Sequence, residues 1–131
     1  MFPGLLAYAG WGLLVLRLVV GIIFIVHGWP KMTNARALAQ AFGQPSAGMI
    51  AFLTAQGIVE TVGGVAMILG LWVQVVAIIF GVIMLGAIGL KTTMMKTGFT
   101  AQQATGWEFD LALLAASVVQ LLAGAGTLSL M

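Results

Sequence analysis

Residues 13–26 read LLVLRLVVGIIFIV, an apolar run in which Arg17 is the single charge. A helix needs roughly 20 apolar residues to cross a hydrocarbon core of about 30 Å. The run continues in both directions and predicts a first membrane span at about 5–29. Three further apolar stretches predict spans at about 47–69, 72–90 and 108–123. The sequence therefore indicates an all-α integral membrane protein, a four-helix bundle that forms one domain over residues 1–131.

The composition supports a membrane environment and disfavours several other classes of protein. Apolar residues make up 62 % of the chain and charged residues 6 %, whereas soluble domains average about 25 % charged residues. So small a chain has too little interior to hide that much apolar surface from water, which disfavours a soluble enzyme and a nucleic-acid-binding domain. With no Cys and one His, we expect no disulfide, iron–sulfur cluster or metal site.

The positive charges predict how the spans are oriented. The two long predicted loops, 30–46 and 91–107, hold four of the five basic residues, and the opposite side of the bundle holds none. Cytoplasmic loops carry an excess of Lys and Arg. We therefore expect the long loops in the cytoplasm and both termini outside. The four basic residues are Lys31, Arg36, Lys91 and Lys96.

Several residues predict where the helices begin and end. Pro30 is expected to end the first span, Ser46 to cap the second, and Gly70 to form a tight turn before the third. The segment from Thr105 to Glu108 has the spacing of a capping box at the start of the fourth span. Many glycines lie along the spans, which predicts close packing between helices.

Two opposite charges fall near the middle of the first two spans. Arg17 lies roughly 18 Å before the end of the first span at Trp29, and Glu60 roughly 20 Å after the start of the second at Ala47, by the rise per residue. Because the spans are antiparallel, both charges lie at a similar depth. We expect them to form an ion pair or a shared polar pocket, to which Gln56 adds a hydrogen-bonding group. A charge at the bilayer centre costs about 2.5–3.5 kcal/mol and is a candidate functional residue. A structural pair that fixes the helix register is the alternative interpretation.

His27 and Glu108 lie on the predicted cytoplasmic side, at the ends of the first and fourth spans. A neutral imidazole beside a carboxylate suits proton transfer or ligand binding. The alternative for His27 is a hydrogen bond at the membrane interface. For Glu108 and Asp110, the alternative is stabilisation of the helix dipole. No local spacing of these residues fits a metal site.

Several segments together resemble the DoxX family. They are RLVVGIIFIVHGWPK (17–31), ETVGGVAMILGL (60–71), Gly98-Phe99 with Gly106-Trp-Glu108, and GAGTLSL (124–130). The resemblance implies a small four-span protein of the bacterial inner membrane, similar to the membrane subunits of thiosulfate:quinone oxidoreductase. Many members have a His where this chain has Lys91. The positions that match the family pattern are Arg17, His27, Gly28, Lys31, Glu60, Gly63, Gly64 and Glu108.

These observations lead to three hypotheses of function. The first is a membrane subunit of a redox complex, which interacts with a quinone or docks an oxidoreductase partner. In that hypothesis Arg17 hydrogen-bonds a quinone oxygen, while Glu60 or His27 transfers protons. The second is a non-catalytic structural or assembly subunit, and the third is a small proton-coupled transporter. The expected partners are the lipid bilayer and either other subunits of a redox complex or further copies of this chain.

Overall fold

The computed structural model describes residues 1–93, 96–100 and 105–130. This part of the chain is helical and contains no strand, which confirms the all-α class. A short 3-10 helix, Pro3–Tyr8, leads into the first of five α-helices. These are α1 (Ala9–Thr33), α2 (Ala35–Ala41), α3 (Ala47–Leu69), α4 (Val73–Thr93) and α5 (Trp107–Ala123).

Three segments are long and apolar enough to cross a membrane: Pro3–Thr33, Ala47–Leu69 and Val73–Thr93. Helix α5 has 17 residues and two acids in its first turn, and its length is about 25 Å. That length lies at the lower limit for a membrane span, so the fourth span stays a prediction. Many large apolar side chains are exposed on the outside of the bundle, as contact with lipid requires.

The bundle is built from two helix pairs, α1 with α3 and α4 with α5. The rings of Phe24 and Phe80 stack between the pairs, with centroids 3.6 Å apart. Both rings are fully buried and belong to the main hydrophobic core. The short helix α2 packs on α3 through a smaller cluster of Ala35, Ala39 and Leu53.

Helices α1 and α3 approach closely along four glycines, which we call the glycine seam: Gly21 and Gly28 on α1, and Gly57 and Gly64 on α3. A Cβ atom on Gly64 would lie 2.6 Å from the carbonyl oxygen of Gly21. A Cβ atom on Gly28 would lie 2.9 Å from the carbonyl oxygen of Gly57. The predicted close packing through glycine is therefore confirmed at the glycine seam, where backbone meets backbone.

Two of the predicted helix ends are confirmed. The Ser46 hydroxyl accepts a hydrogen bond of 3.1 Å from the Met49 amide and caps α3. Gly70 ends α3 in the left-handed conformation, with φ of +78°. Three residues then connect α3 to α4, so this connection is as tight as predicted.

Two other predictions about helix ends are wrong. Pro30 does not stop α1, which continues through it to Thr33. The extra turn packs on α3, and that packing outweighs the one hydrogen bond that a proline removes. The capping box is absent, because α5 begins after Gly106 with no side-chain cap. The Thr105 hydroxyl instead accepts a hydrogen bond of 2.9 Å from the Lys91 ammonium.

After α5 the chain folds back across one end of the bundle. The Leu130 amide donates a hydrogen bond of 3.1 Å to the carbonyl oxygen of Leu69, the last residue of α3. A Cβ atom on Gly126 would lie 3.1 Å from the side chain of Leu13 on α1. The segment from Gly124 to Leu130 therefore closes the end of the bundle where α3 ends and α4 begins.

Candidate functional site

The packing register of α1 on α3 separates the two charges that were predicted to meet. Gly21 faces Gly64 in the glycine seam, and the Arg17 side chain reaches the carbonyl oxygen of Ile68. Arg17 is therefore level with Ile68, eight residues and about 12 Å along α3 from Glu60. The predicted Arg17–Glu60 ion pair is wrong, because the two helices are offset from the register that equal distances from their ends imply.

Arg17 binds backbone carbonyl groups. Its Nη1 donates to the carbonyl oxygens of Met67 at 3.3 Å and Ile68 at 3.2 Å. Its Nη2 donates to the carbonyl oxygen of Leu128. Met67 and Ile68 lie in the last turn of α3, where the carbonyl groups lack partners within the helix and attract a positive charge. Arg17 therefore caps α3 and holds the segment that follows α5.

Glu60 is bound by Lys31 and Gln56. The Lys31 Nζ lies 2.8 Å from Oε1 and 3.1 Å from Oε2, and the Gln56 Nε2 lies 3.0 Å from Oε1. Glu60 is 1 % exposed, and the Lys31 ammonium compensates its negative charge inside the protein. The structure thus brings Gln56 and Glu60 together and puts Lys31 in the place expected for Arg17.

A second buried acid is bound in the same way in the other helix pair. The Lys91 Nζ at the end of α4 lies 2.6 Å from Oδ2 of Asp110 on α5. Asp110 is 4 % exposed. In each helix pair, a lysine near the end of the first helix reaches an acid on the second. This repeated arrangement gives the bundle two lysine–acid pairs, each with a buried acid and a partly buried lysine.

The structure places Glu108 outside this arrangement. Glu108 is exposed, and its side chain forms no hydrogen bond or ion pair with another residue in the described ranges. Asp110 instead occupies the inward face of α5, which it shares with Leu113, Ser117 and Gln120. The steps of three and four residues between these positions are the signal in the sequence that could have identified Asp110.

His27 lies between the two lysine–acid pairs at the exposed edge of the bundle. Its ring centroid lies 5.4 Å from that of Phe109, next to Asp110 in the chain. The residue after His27 in the chain, Gly28, packs on Glu60, since a Cβ atom on Gly28 would lie 2.7 Å from the Cβ of Glu60. We call these five residues the charged cluster: His27, Lys31, Glu60, Lys91 and Asp110.

The charged cluster offers hydrogen-bond donors, proton acceptors and an accessible imidazole at one end of the bundle. These are groups that can bind a polar oxygen and exchange protons with it. Within the ranges that the structure describes, no three His, Asp or Glu side chains are grouped to hold a metal ion. The chemistry that the cluster supports is therefore hydrogen bonding and proton transfer.

The two acids at the start of α5 differ in their expected effect on stability. Asp110→Asn leaves the Lys91 ammonium with neutral acceptors only, and we expect it to lower the free energy of unfolding by about 2 kcal/mol. Glu108→Gln changes an exposed acid two residues away and should alter stability by less than about 0.5 kcal/mol. Denaturant titration of the purified protein in mixed micelles measures both. If Asp110→Asn lowered the free energy of unfolding as little as Glu108→Gln, the Lys91–Asp110 pair would contribute nothing to stability.

Comparison with known proteins agrees with this arrangement of membrane helices. The DoxX family model matches residues 12–94, which include the glycine seam, Glu60 and Lys91. A similar protein is "Putative oxidoreductase CatD" of Bacillus subtilis (strain 168), which is 35 % identical over 120 residues. That alignment covers 91 % of this chain and 84 % of the relative. No solved structure matches the chain. The chain is a membrane protein that belongs to the DoxX family.

Proposed function

We propose that this chain is a membrane subunit of a quinone-linked redox complex in the bacterial inner membrane. The observation that supports the proposal most directly is the charged cluster, where an accessible imidazole lies beside two lysine–acid pairs whose acids are buried. A quinone supplies two carbonyl oxygens, and it takes up two electrons and two protons on full reduction. The residues of the cluster fit such a head group, because they combine donors for its oxygens with groups that exchange protons.

Within the cluster, the residues have distinct roles. His27 is exposed at the edge of the bundle and is the group that contacts the head group and transfers its protons. Lys31 and Lys91 add positive charge that favours an oxygen gaining electrons. Glu60 and Asp110 hold the two ammonium groups in place at 2.8 Å and 2.6 Å. Arg17 has no part in this site, since it lies toward the other end of α1 and α3.

The electrons must come from outside the chain. The sequence has no Cys and one His, and amino-acid side chains alone do not carry out two-electron chemistry on a quinone. A partner protein with its own redox cofactor is therefore part of the proposal. The name of the Bacillus subtilis relative, "Putative oxidoreductase CatD", is in accord with such a complex. The partner is expected on the side of the charged cluster, where the chain also exposes Arg36 and Lys96.

A structural or assembly subunit without chemistry is the second candidate function. The observation that favours it is the complete compensation of both buried acids by lysines. Such pairs also occur in proteins where they only specify how helices pack. The two candidates differ in what they require of His27, which takes part in neither ion pair.

The test of the proposed function uses His27→Gln in the organism's own membranes. The complex is purified in mild detergent, its quinones are extracted and identified by mass spectrometry, and its quinone-dependent electron transfer is measured. We expect the wild-type chain to co-purify with a quinone and with an oxidoreductase subunit. His27→Gln should keep the partner and lower turnover at least about 100-fold, the smaller effect typical of a lost proton-transfer group.

Glu108→Gln is the matched control, because it changes a polar residue on the same side of the bundle outside the charged cluster. It should retain wild-type turnover. Unchanged turnover in His27→Gln would favour the structural subunit. A wild-type chain isolated with neither a quinone nor a redox partner would refute the proposed function.

A further inference from the structure

Gln120 is a buried amide without a hydrogen-bond partner. It lies on the inward face of α5 and is 0 % exposed. Neither its Oε1 nor its Nε2 forms a hydrogen bond within the described part of the chain. A buried amide with both atoms unsatisfied is costly. It is therefore a candidate for a group that binds something other than the protein itself.

Arg17 lies at the same depth as Gln120, which is on α5, a helix that contacts α1. The contact between the rings of His27 and Phe109 sets the register of α1 and α5. Arg17 lies ten residues before His27 on α1, a distance of about 15 Å, and Gln120 lies eleven residues after Phe109 on α5, a distance of about 17 Å. Because the two helices are antiparallel, both distances run toward the same end of the bundle. Both side chains are fully buried on inward faces. The Nε of Arg17, like the amide of Gln120, has no hydrogen-bond partner in the described ranges.

The positive charge of Arg17 is not compensated by any acidic side chain. The sequence contains three acids, and all of them lie near the other end of the bundle. Glu60 is paired with Lys31 and Asp110 with Lys91, while Glu108 is exposed. Among the residues that the structure describes, Arg17 is bound to carbonyl dipoles only, and a buried cation that lacks a counter-charge is unfavourable.

An open groove of about 310 Å³ lies at the same end of the bundle. Gly70 and Gly124 line it, together with Gln74 and Ala125. A Cβ atom on Gly70 would lie 2.6 Å from the Arg17 Nη1. The Gly124 amide donates a hydrogen bond of 2.9 Å to the backbone carbonyl of Gln120. Arg17 therefore lies directly behind Gly70 in the wall of the groove, and Gln120 lies one helical turn before Gly124. The volume of the groove is in the range of small-molecule sites.

We propose that Arg17 and Gln120 form a binding site for an anionic oxygen, the carboxylate or phosphate of a ligand that enters through the groove. The Arg17 Nε and the Gln120 Nε2 donate hydrogen bonds to it, and its negative charge compensates the guanidinium. The oxygen belongs either to a small free anion or to a lipid head group. This site lies toward the opposite end of the bundle from the charged cluster and does not depend on the proposed function.

The experiment measures thermal unfolding of the full chain by tryptophan fluorescence in nanodiscs. One arm uses phosphatidylcholine nanodiscs titrated with acetate or inorganic phosphate, with sodium chloride at matched ionic strength as the reference. The other arm replaces part of the phosphatidylcholine with phosphatidylglycerol. We expect the midpoint of unfolding to rise by several degrees in one arm, because a ligand that binds the folded state stabilises it. A rise with acetate or phosphate identifies a free anion, and a rise with phosphatidylglycerol alone identifies a lipid head group.

Gln120→Leu tests whether the rise comes from this site. Leucine is similar in size and has no polar atoms, so the variant should be at least as stable as the wild type without the anion. We expect it to lose the anion-dependent rise. Ser117→Ala is the control, since Ser117 is buried on the same face of α5 and its hydroxyl binds its own helix. It should keep the rise. The proposal is overturned if no anion raises the wild-type midpoint, or if Gln120→Leu keeps the full rise.

Discussion

We expect Lys31→Met to destabilise the protein by about 3–5 kcal/mol, the cost of leaving one partner of a buried ion pair without the other. Glu60 is 1 % exposed, and Gln56 can give it a hydrogen bond but no charge. Methionine keeps most of the length of the lysine side chain, so the change removes mainly the ammonium group. The free energy of unfolding, from denaturant titration in mixed micelles, measures the effect.

The double variant Lys31→Met with Glu60→Gln should recover much of that loss, because two neutral side chains leave no buried charge without a partner. Arg36→Met is the control: Arg36 is exposed on α2, and its loss should change stability by less than about 0.5 kcal/mol. Additive effects of the two single substitutions would contradict the ion pair. The same cycle between Arg17 and Glu60 should show little coupling, since residues more than about 10 Å apart rarely interact energetically.

The fold was predictable because its signals are local and strong. The composition and four apolar stretches indicate a helical membrane bundle without any knowledge of contacts. Ser46 and Gly70 mark helix ends through chemistry that acts within a few residues. Pro30 is the exception among these local signals. Its effect on α1 depends on the packing of the following turn against α3. The residues next to Pro30 in the sequence carry no information about that packing.

The partners of the charges were not predictable from depth alone. Counting residues from the helix ends assumes that α1 and α3 begin and end together, whereas an offset of eight residues moves Arg17 from the level of Glu60 to that of Ile68. The spacing of the glycine seam carries the missing information. Gly21 and Gly28 are seven residues apart, as are Gly57 and Gly64. Aligning these two antiparallel pairs gives the observed register, in which Ile25 is level with Glu60. Helical side chains lean toward the start of their own helix, so Lys31 leans toward that level and Arg17 leans away from it.

The glycine seam should be the part of the bundle least tolerant of a single added methyl group. We expect Gly57→Ala to lower the free energy of unfolding by about 3 kcal/mol, near the upper end of the usual cost of overpacking. The new Cβ atom would meet the backbone amide of Met32 and lie 2.6 Å from the carbonyl oxygen of Gly28. Both are backbone atoms, so no side-chain rotation relieves the contact and α1 must move away from α3.

Gly12→Ala on α1 provides a control of opposite sign. Nothing lies within 4 Å of a Cβ atom at Gly12, and alanine is the better helix former by about 1 kcal/mol. This substitution should stabilise the protein slightly, whereas the same change at Gly57 destabilises it. Similar effects at the two positions would mean that the close approach of α1 and α3 does not limit stability.

The seam also positions the charged cluster, so Gly57→Ala should weaken the Lys31–Glu60 ion pair as well as the packing. A Cβ atom on Gly57 would lie 2.8 Å from the Cβ of Lys31. The coupling energy between Lys31 and Glu60 should therefore fall when the double-mutant cycle is repeated in the Gly57→Ala background. An unchanged coupling energy would show that Lys31 follows Glu60 independently of the helix register. A reduced one would show that the glycine seam brings the buried ion pair together.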